Sequence, residues 1–286
     1  MSINIKNKSS ILVNTCDNFE DCWIPFFKLF TIYWPDFNGK IYLNTEYKDF
    51  SYPGLDIVCT KVCEVNKVPH SVRATWSQCL SWTLEAIDTD VVLYMQEDYF
   101  LKDFVKNDLI EKYVQMMVEN NDIDCIHLTD QAVIPNNKSI DYEGLYTVQN
   151  NQKYQISCQA ALWKKETLQS YLRIYENAWQ FEEFGSKRAA VLNHNFYVVD
   201  KSWVQLNVFE IIPYVFTGIM QGRWFEEVVP LFEKHNLEVD YTKRGFVKDK
   251  PPKPLKNRIK YRLNKFPIWI RHLTDIYQIK SSLNKK

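Results

Sequence analysis

The segment Asp90-Val-Val-Leu-Tyr-Met-Gln-Glu-Asp-Tyr-Phe-Leu101 constrains this chain more than any other. A run of β-branched and aromatic residues that ends on Gln96, Glu97 and Asp98 reads as a buried strand with carboxylates at its C-terminal end. Open α/β sheets bind ligands outside that edge. Oxygen ligands of this kind suit a divalent cation that holds a diphosphate. Taken alone, a Glu-Asp pair after a strand is usually a solvated acidic turn. The preceding segment favours the first reading, because Ser71 to Ile87 carries Trp76, Cys79, Leu80, Thr83, Leu84 and Ile87 at helical spacing. Helix, short turn, strand and acidic pair therefore follow one another.

Ile11 to Cys16 reads as a first strand, with Asp17 and Asn18 in the loop behind it. Asp21 to Trp34 carries Trp23, Phe26, Phe27 and Phe30 at helical spacing and stops at Pro35. Lys40 to Glu46 and Asp56 to Val62 read as further strands. The order β-α-β-β-α-β predicts an α/β domain with a mostly parallel sheet flanked by helices. Beyond it, Asp103 to Asn120, Glu166 to Tyr175 and Trp224 to His235 read as helices, and Cys125 to Thr129 and Gln155 to Trp163 as strands. Asp130 to Lys153 reads as a long excursion of the lid or binding-loop kind.

Several classes drop out. At 286 residues the chain holds one large α/β domain with a tail, or two small ones, and 46% hydrophobic with 15% aromatic residues excludes disorder. No apolar run approaches the ~18 residues of a membrane span; the most apolar stretch, Phe209 to Met220, contains Glu210 and Pro213. The N-terminus enters a strand almost at once, without the regions of a signal peptide. Seven cysteines without a Cys-x-x-Cys pair point to reduced thiols in a cytoplasmic compartment. Cys59-x-x-x-Cys63 shows no partner ligands in the sequence, which argues against zinc. No Gly-x-Gly-x-x-Gly, Gly-Lys-Ser/Thr or Gly-x-Ser-x-Gly pattern occurs, against dehydrogenase, P-loop and serine-hydrolase chemistry. The five histidines do not cluster: His127 reads as a core residue, and His194 and His235 lack ligand spacing.

The helix, turn, hydrophobic strand and acidic cluster resemble the centre of glycosyltransferases with the GT-A fold, nearest to bacterial enzymes that build surface polysaccharides such as lipopolysaccharide and capsule. The resemblance runs over roughly residues 9 to 230, judged by the order of elements. It implies a GT-A-like, Rossmann-like sheet. It also implies transfer of a sugar from a nucleotide diphosphate donor, a UDP-sugar first, to a saccharide or lipid-linked saccharide. A divalent metal, Mn2+ or Mg2+, is implied at an Asp-x-Asp motif. Here that motif is Gln96-Glu97-Asp98, which makes Asp98 the implied metal ligand and Glu97 a donor-side residue. Gln96 departs from the pattern at its first acidic position.

The same resemblance implies a carboxylate base at the start of a helix beside a sugar-stacking aromatic. Trp179-Gln-Phe-Glu182 matches it, with Glu182 as the base, Glu183 as runner-up and Trp179 on the acceptor, giving inversion at the anomeric carbon. Without the resemblance the segment is an amphipathic helix with packed aromatics and solvated acids. Donor contacts carried over by position are Thr15, Asp17, Glu46 and Arg73, the last able to grip a phosphate with two donors. Each is otherwise a turn former or helix cap. Gly218 to Trp224 reads either as a loop closing over the donor, with Arg223 on the phosphates and Trp224 excluding water, or as a plain turn.

Net charge is zero, yet Lys243 to Lys286 holds 14 basic and 2 acidic residues, leaving 21 of the 35 basic and 33 of the 35 acidic residues to the rest. The chain thus divides into a transferase domain over 1–242 and a basic, helical extension over 243–286 that starts with the stiff Lys250-Pro-Pro-Lys-Pro. Beyond it Leu255, Ile259, Leu263, Phe266, Trp269, Leu273 and Ile276 lie among Lys and Arg. Residues 251–286 suit either an anionic membrane surface or the acidic body itself. A cytoplasmic enzyme, peripheral on the inner face of the membrane, is the expectation. Nucleic acid is a poor fit to an acidic body without a recognition motif. Two other readings remain: a non-catalytic membrane-associated scaffold on a degenerate transferase fold, kept alive by Gln96, and a nucleotidyltransferase. The latter needs a Gly-rich loop after the first strand, where Asn14 to Phe19 has none.

Overall fold

A computed structural model of the chain describes residues 8–131, 133–249 and 255–284, with side chains from 267 onward in the last segment. The chain runs β1 (Ser9–Asn14), α1 (Glu20–Tyr33), β2 (Lys40–Asn44), β3 (Asp56–Cys59), α2 (Val62–Val65), α3 (Trp76–Ala86), β4 (Val91–Gln96), α4 (Asn107–Glu119) and β5 (Cys125–His127). It continues with β6 (Pro135–Lys138), β7 (Leu145–Val148), β8 (Ala161–Lys164), α5 (Lys165–Tyr171), α6 (Ala178–Leu192) and β9 (Phe196–Val199). Then follow β10 (Ile219–Met220), β11 (Arg223–Trp224), α7 (Val228–Lys234) and α8 (Leu255–Leu283).

Nine strands form one mixed sheet in the order β3-β2-β1-β4-β8-β5-β9-β7-β6. Following the pairings along it, only β8 and β7 run against the other seven, so the expected mostly parallel α/β sheet is present. The centre is parallel because β1 and β4 are apolar on both faces: Ile11, Leu12, Val13 and Val91 through Met95 are all buried, as helices on both sides require. α1 contributes Trp23, Phe26, Phe27 and Phe30 to that core. α3 begins at Trp76, not Ser71, because the Thr75 side chain accepts the Gln78 N–H and Gln78 returns a contact to the Thr75 N–H, a reciprocal cap.

The expected excursion over Asp130 to Lys153 is instead largely a hairpin, since β6 and β7 pair with each other and β7 extends the sheet alongside β9. The strand expected over Gln155 to Trp163 shortens to β8. Its first residues are held off the ladder: Cys158 N–H donates to Glu182 and Ala160 N–H to the Tyr214 hydroxyl.

Residues 241–249 pack on the body, where Arg244 pairs with Asp21 and the Trp224 N–H donates to Gly245 O. Lys250 to Pro254 lie outside the described residues, as do the side chains of Leu255, Ile259, Leu263 and Phe266. α8 docks on α6: His272 stacks on Phe184 at 4.5 Å, and Asp275 meets both Arg173 and the buried Arg188. Among the described residues no helix is long and apolar enough to cross a membrane.

Candidate active site

The strand order β3-β2-β1-β4 reverses direction between β1 and β4, and a crevice opens outside the carboxyl ends of strands at such a switch point. The register fixes which residues stand there. Asn14 is aligned with Asn44 on one side and with Gln96 on the other, so the residues after them leave the sheet at one edge. Thr15, Asp17, Glu46, Glu97 and Asp98 are thereby brought together. Beneath them lies a buried polar relay that the sequence reading missed: Thr83 Oγ1 donates to Asn44 Oδ1, Asn44 Nδ2 to Asn14 Oδ1, and Asn14 Nδ2 to the Tyr94 hydroxyl. Its signal was an Asn closing each of two apolar strands.

The acidic pair is deeply set, Glu97 being 7% and Asp98 5% exposed. Asp98 Oδ2 accepts the Thr217 hydroxyl and the Ile219 N–H, both at 2.9 Å, and Asp98 O accepts the Gly218 N–H. Burial pushes the Asp98 carboxyl up, and the donors from 217–219 oppose that shift. Burial, and then the charge of Asp98, push Glu97 well above the usual carboxylate range. Asp98 Oδ1 is buried with no hydrogen-bond partner. An orphaned carboxylate oxygen beside a second buried carboxylate is a donor set that a hard divalent cation would satisfy, so Asp98 and Glu97 fit such an ion.

Asp17 and Glu46 clasp each other. Asp17 accepts the Glu46 and Tyr47 N–H groups, both at 2.9 Å, and the Asp17 N–H donates to Glu46 Oε2. This locks the loop after β1 to the loop after β2. Thr15 is buried and accepts the Trp23 indole N–H. Arg73 is exposed, at the mouth of α3, and its charge reaches Cys16 behind β1.

Glu182 enters the same edge from the other side of β4. Its carboxylate accepts the Cys158 N–H at 2.9 Å, and Cys158 O accepts the hydroxyl of Tyr99, the residue after Asp98. Burial raises the Glu182 carboxyl, opposed by the Cys158 N–H. Asn177 and Gln180 cap α6 reciprocally and so fix Glu182 near its start. Glu182 lines a cavity of about 530 Å³ with Trp179, Glu183, Tyr154, Lys153 and Lys187. Trp179 is 66% exposed, the availability a sugar-stacking ring needs. Tyr154 sits at φ 64°, a left-handed conformation that an aromatic residue rarely adopts and that clusters at binding sites. Glu183 is exposed and pairs with Lys187.

One expectation changes. Trp224 does not shield the crevice: it is wholly buried against Phe100, Phe232 and Tyr241. Of the two readings of Gly218 to Trp224, a closing loop or a plain turn, the structure shows the turn. Met220 and Arg223 flank a tight turn whose central Gln221 and Gly222 both have positive φ, and the preceding residues hold Asp98. Arg223 lies against Gly245, whose added Cβ would meet its Nη1 at 2.9 Å.

No family model matches the chain. No curated protein matches it either. Solved structures do. A CMP:2-keto-3-deoxy-manno-octonic acid synthetase complexed with CTP is similar at 12% identity and TM-score 0.45, over 80% of this chain and 99% of that one. TarS 1–349 of S. aureus is similar at 10% identity and TM-score 0.43, over 68% of this chain and 58% of that one. A UDP-glucose pyrophosphorylase complexed with UDP-glucose is similar at 7% identity and TM-score 0.39, over 68% of this chain and 90% of that one.

Proposed function

We propose that this chain is a GT-A-type glycosyltransferase that moves a sugar from a nucleotide diphosphate donor, a UDP-sugar first, to a saccharide or lipid-linked saccharide of a cell-surface polysaccharide. One observation carries the reading: a half-buried carboxylate, Glu182, lines a cavity beside an exposed Trp179 and is joined through Cys158 and Tyr99 to the acidic pair at the switch point. The donor would lie across the edge formed by Thr15, Asp17, Glu46 and Arg73, with Arg223 on its phosphate side. A bound Mn2+ or Mg2+, held by Asp98 and Glu97, would neutralise charge on the leaving diphosphate.

The acceptor sugar would stack on Trp179 with a hydroxyl toward Glu182. Glu182 would take that hydroxyl's proton as the oxygen attacks the anomeric carbon from the side opposite the leaving group, giving inversion. Burial supports the role, since a carboxyl raised above its ordinary value is a stronger base. The segment after β1 supports this class over a nucleotidyltransferase: it has no glycine, and Asp17 fills the turn with side-chain bonds.

The last helix supports work at an anionic membrane face. Trp269, Ile270, Leu273 and Tyr277 are all exposed on α8 within a segment of strong positive charge. The deciding experiment compares Glu182→Gln with the unchanged chain for donor binding and for sugar release or transfer. Binding is expected to persist while turnover falls about 100-fold or more, the usual effect of losing a general base. Full turnover in a folded Glu182→Gln protein overturns the assignment.

A further inference from the structure

We propose that Cys63, Cys79 and Glu46 form a site for a soft divalent cation, Zn2+ first, separate from the acidic pair at Asp98. A sulfur from each cysteine and a carboxylate oxygen of Glu46 all lie within 4.8 Å of one another. A tetrahedral zinc site with ~2.3 Å sulfur bonds separates its ligand sulfurs by about 3.8 Å, so the group closes on an ion with small side-chain movements. Two thiols and one carboxylate select zinc over magnesium or calcium.

The surroundings hold these atoms in place. The Cys63 and Glu64 N–H groups donate to Glu46 O at 3.0 and 3.2 Å, tying α2 to the loop after β2. The Asp17 N–H donates to Glu46 Oε2, which orients the carboxylate as outer partners orient metal ligands. Cys79 stands in the first turns of α3, fixed by the Thr75–Gln78 cap. Both cysteines are buried in a small apolar cluster with Val62 and Ala74, whereas Glu46 is half-buried, leaving a side for a fourth ligand such as water. The sequence pairs Cys63 with Cys59 by proximity, but Cys59 instead bonds the Phe50 backbone. A cation here would staple three segments of the crevice edge: the loop after β2, α2 and the start of α3. The inference does not rest on the transferase reading.

The test is to strip the reduced full chain with a chelator and titrate it with Co2+ as a spectroscopic probe for zinc. One equivalent is expected to give a thiolate-to-cobalt charge-transfer band that Zn2+ displaces, and Zn2+ is expected to raise the melting temperature. The band should vanish in Cys63→Ser and Cys79→Ser and persist in Cys59→Ser. Because buried substitutions can unfold the chain, circular dichroism accompanies each variant, and the half-buried Glu46→Gln gives a second reading, with affinity expected to fall at least tenfold. No band at one equivalent, a band that survives both cysteine substitutions in folded protein, or unchanged affinity in Glu46→Gln would each overturn the site.

Discussion

Arg188→Met tests how the helix that carries Glu182 is held. Arg188 is wholly buried in α6, and its guanidinium grips Glu176 with two bonds, Nη1 to Oε1 at 2.7 Å and Nη2 to Oε2 at 2.5 Å. Nη2 also donates to Tyr171 O, and Nη1 reaches Asp275 of α8 at 3.4 Å. Removing the cation leaves Glu176, itself 0% exposed, as a buried charge without a partner. Breaking a buried pair from one side costs about 3–5 kcal/mol. At about 2.1 cal/mol/K per residue over a chain of this length, the melting temperature should fall by about 5–8 °C. Burial already pushes the Glu176 carboxyl up, with Arg188 opposing it. Without Arg188 the folded-state value rises further above the unfolded one. A raised carboxyl adds stability below its unfolded value and loses it as pH rises, so the deficit of the variant should shrink as pH falls. Calorimetry at two pH values measures both effects, and Arg188→Met with Glu176→Leu should recover much of the loss. A loss under about 1 kcal/mol, or a double variant worse than the single one, would refute the reasoning.

Gly218→Ala should destabilise the fold by about 1–3 kcal/mol, the usual cost of overpacking. An added Cβ would stand 2.2 Å from the Phe100 ring and 2.8 Å from Asp98 O, so denaturant unfolding should show the loss and donor affinity should fall with it. Glu182 makes a pH prediction: its carboxyl lies above the ordinary 4.5, so turnover should fall as pH drops through that raised value, and the limb should be absent from the residual rate of Glu182→Gln. In folding the same shift has the opposite sense. Glu182 contributes stability below its unfolded value and loses it as pH rises, so Glu182→Gln should gain stability relative to the unchanged chain toward neutral pH, read by melting temperature.

The parallel half of the sheet was legible because β1, β2 and β4 are short apolar runs separated by helices with clear periodicity and caps, and position alone brought Asp17, Glu46 and Asp98 to one edge. Trp224 was misread because a tryptophan between Arg223 and Phe225, just after a Gly-x-x-x-Gly segment, looks like loop chemistry, while its packing partners Phe100 and Tyr241 are distant in sequence. The β6–β7 hairpin was hidden by Asn136 and Asn137, which look like turn residues yet sit in an exposed edge strand. Arg188 could have been found: it falls on the helical face of Phe181 and Phe184, where a charge needs a buried partner. Nothing local signals that Cys63 meets Cys79, because the contact depends on how α2 and α3 pack.

The most direct test of the transferase reading is a thermal-shift panel of nucleotide sugars and free nucleoside diphosphates, with and without Mn2+, on the unchanged chain and on Asp98→Asn. A ligand that binds only the folded chain raises its melting temperature, so no acceptor is needed. A UDP-sugar is expected to give a shift that grows with Mn2+ and is lost in Asp98→Asn. No shift with any nucleotide, metal present or absent, would contradict it.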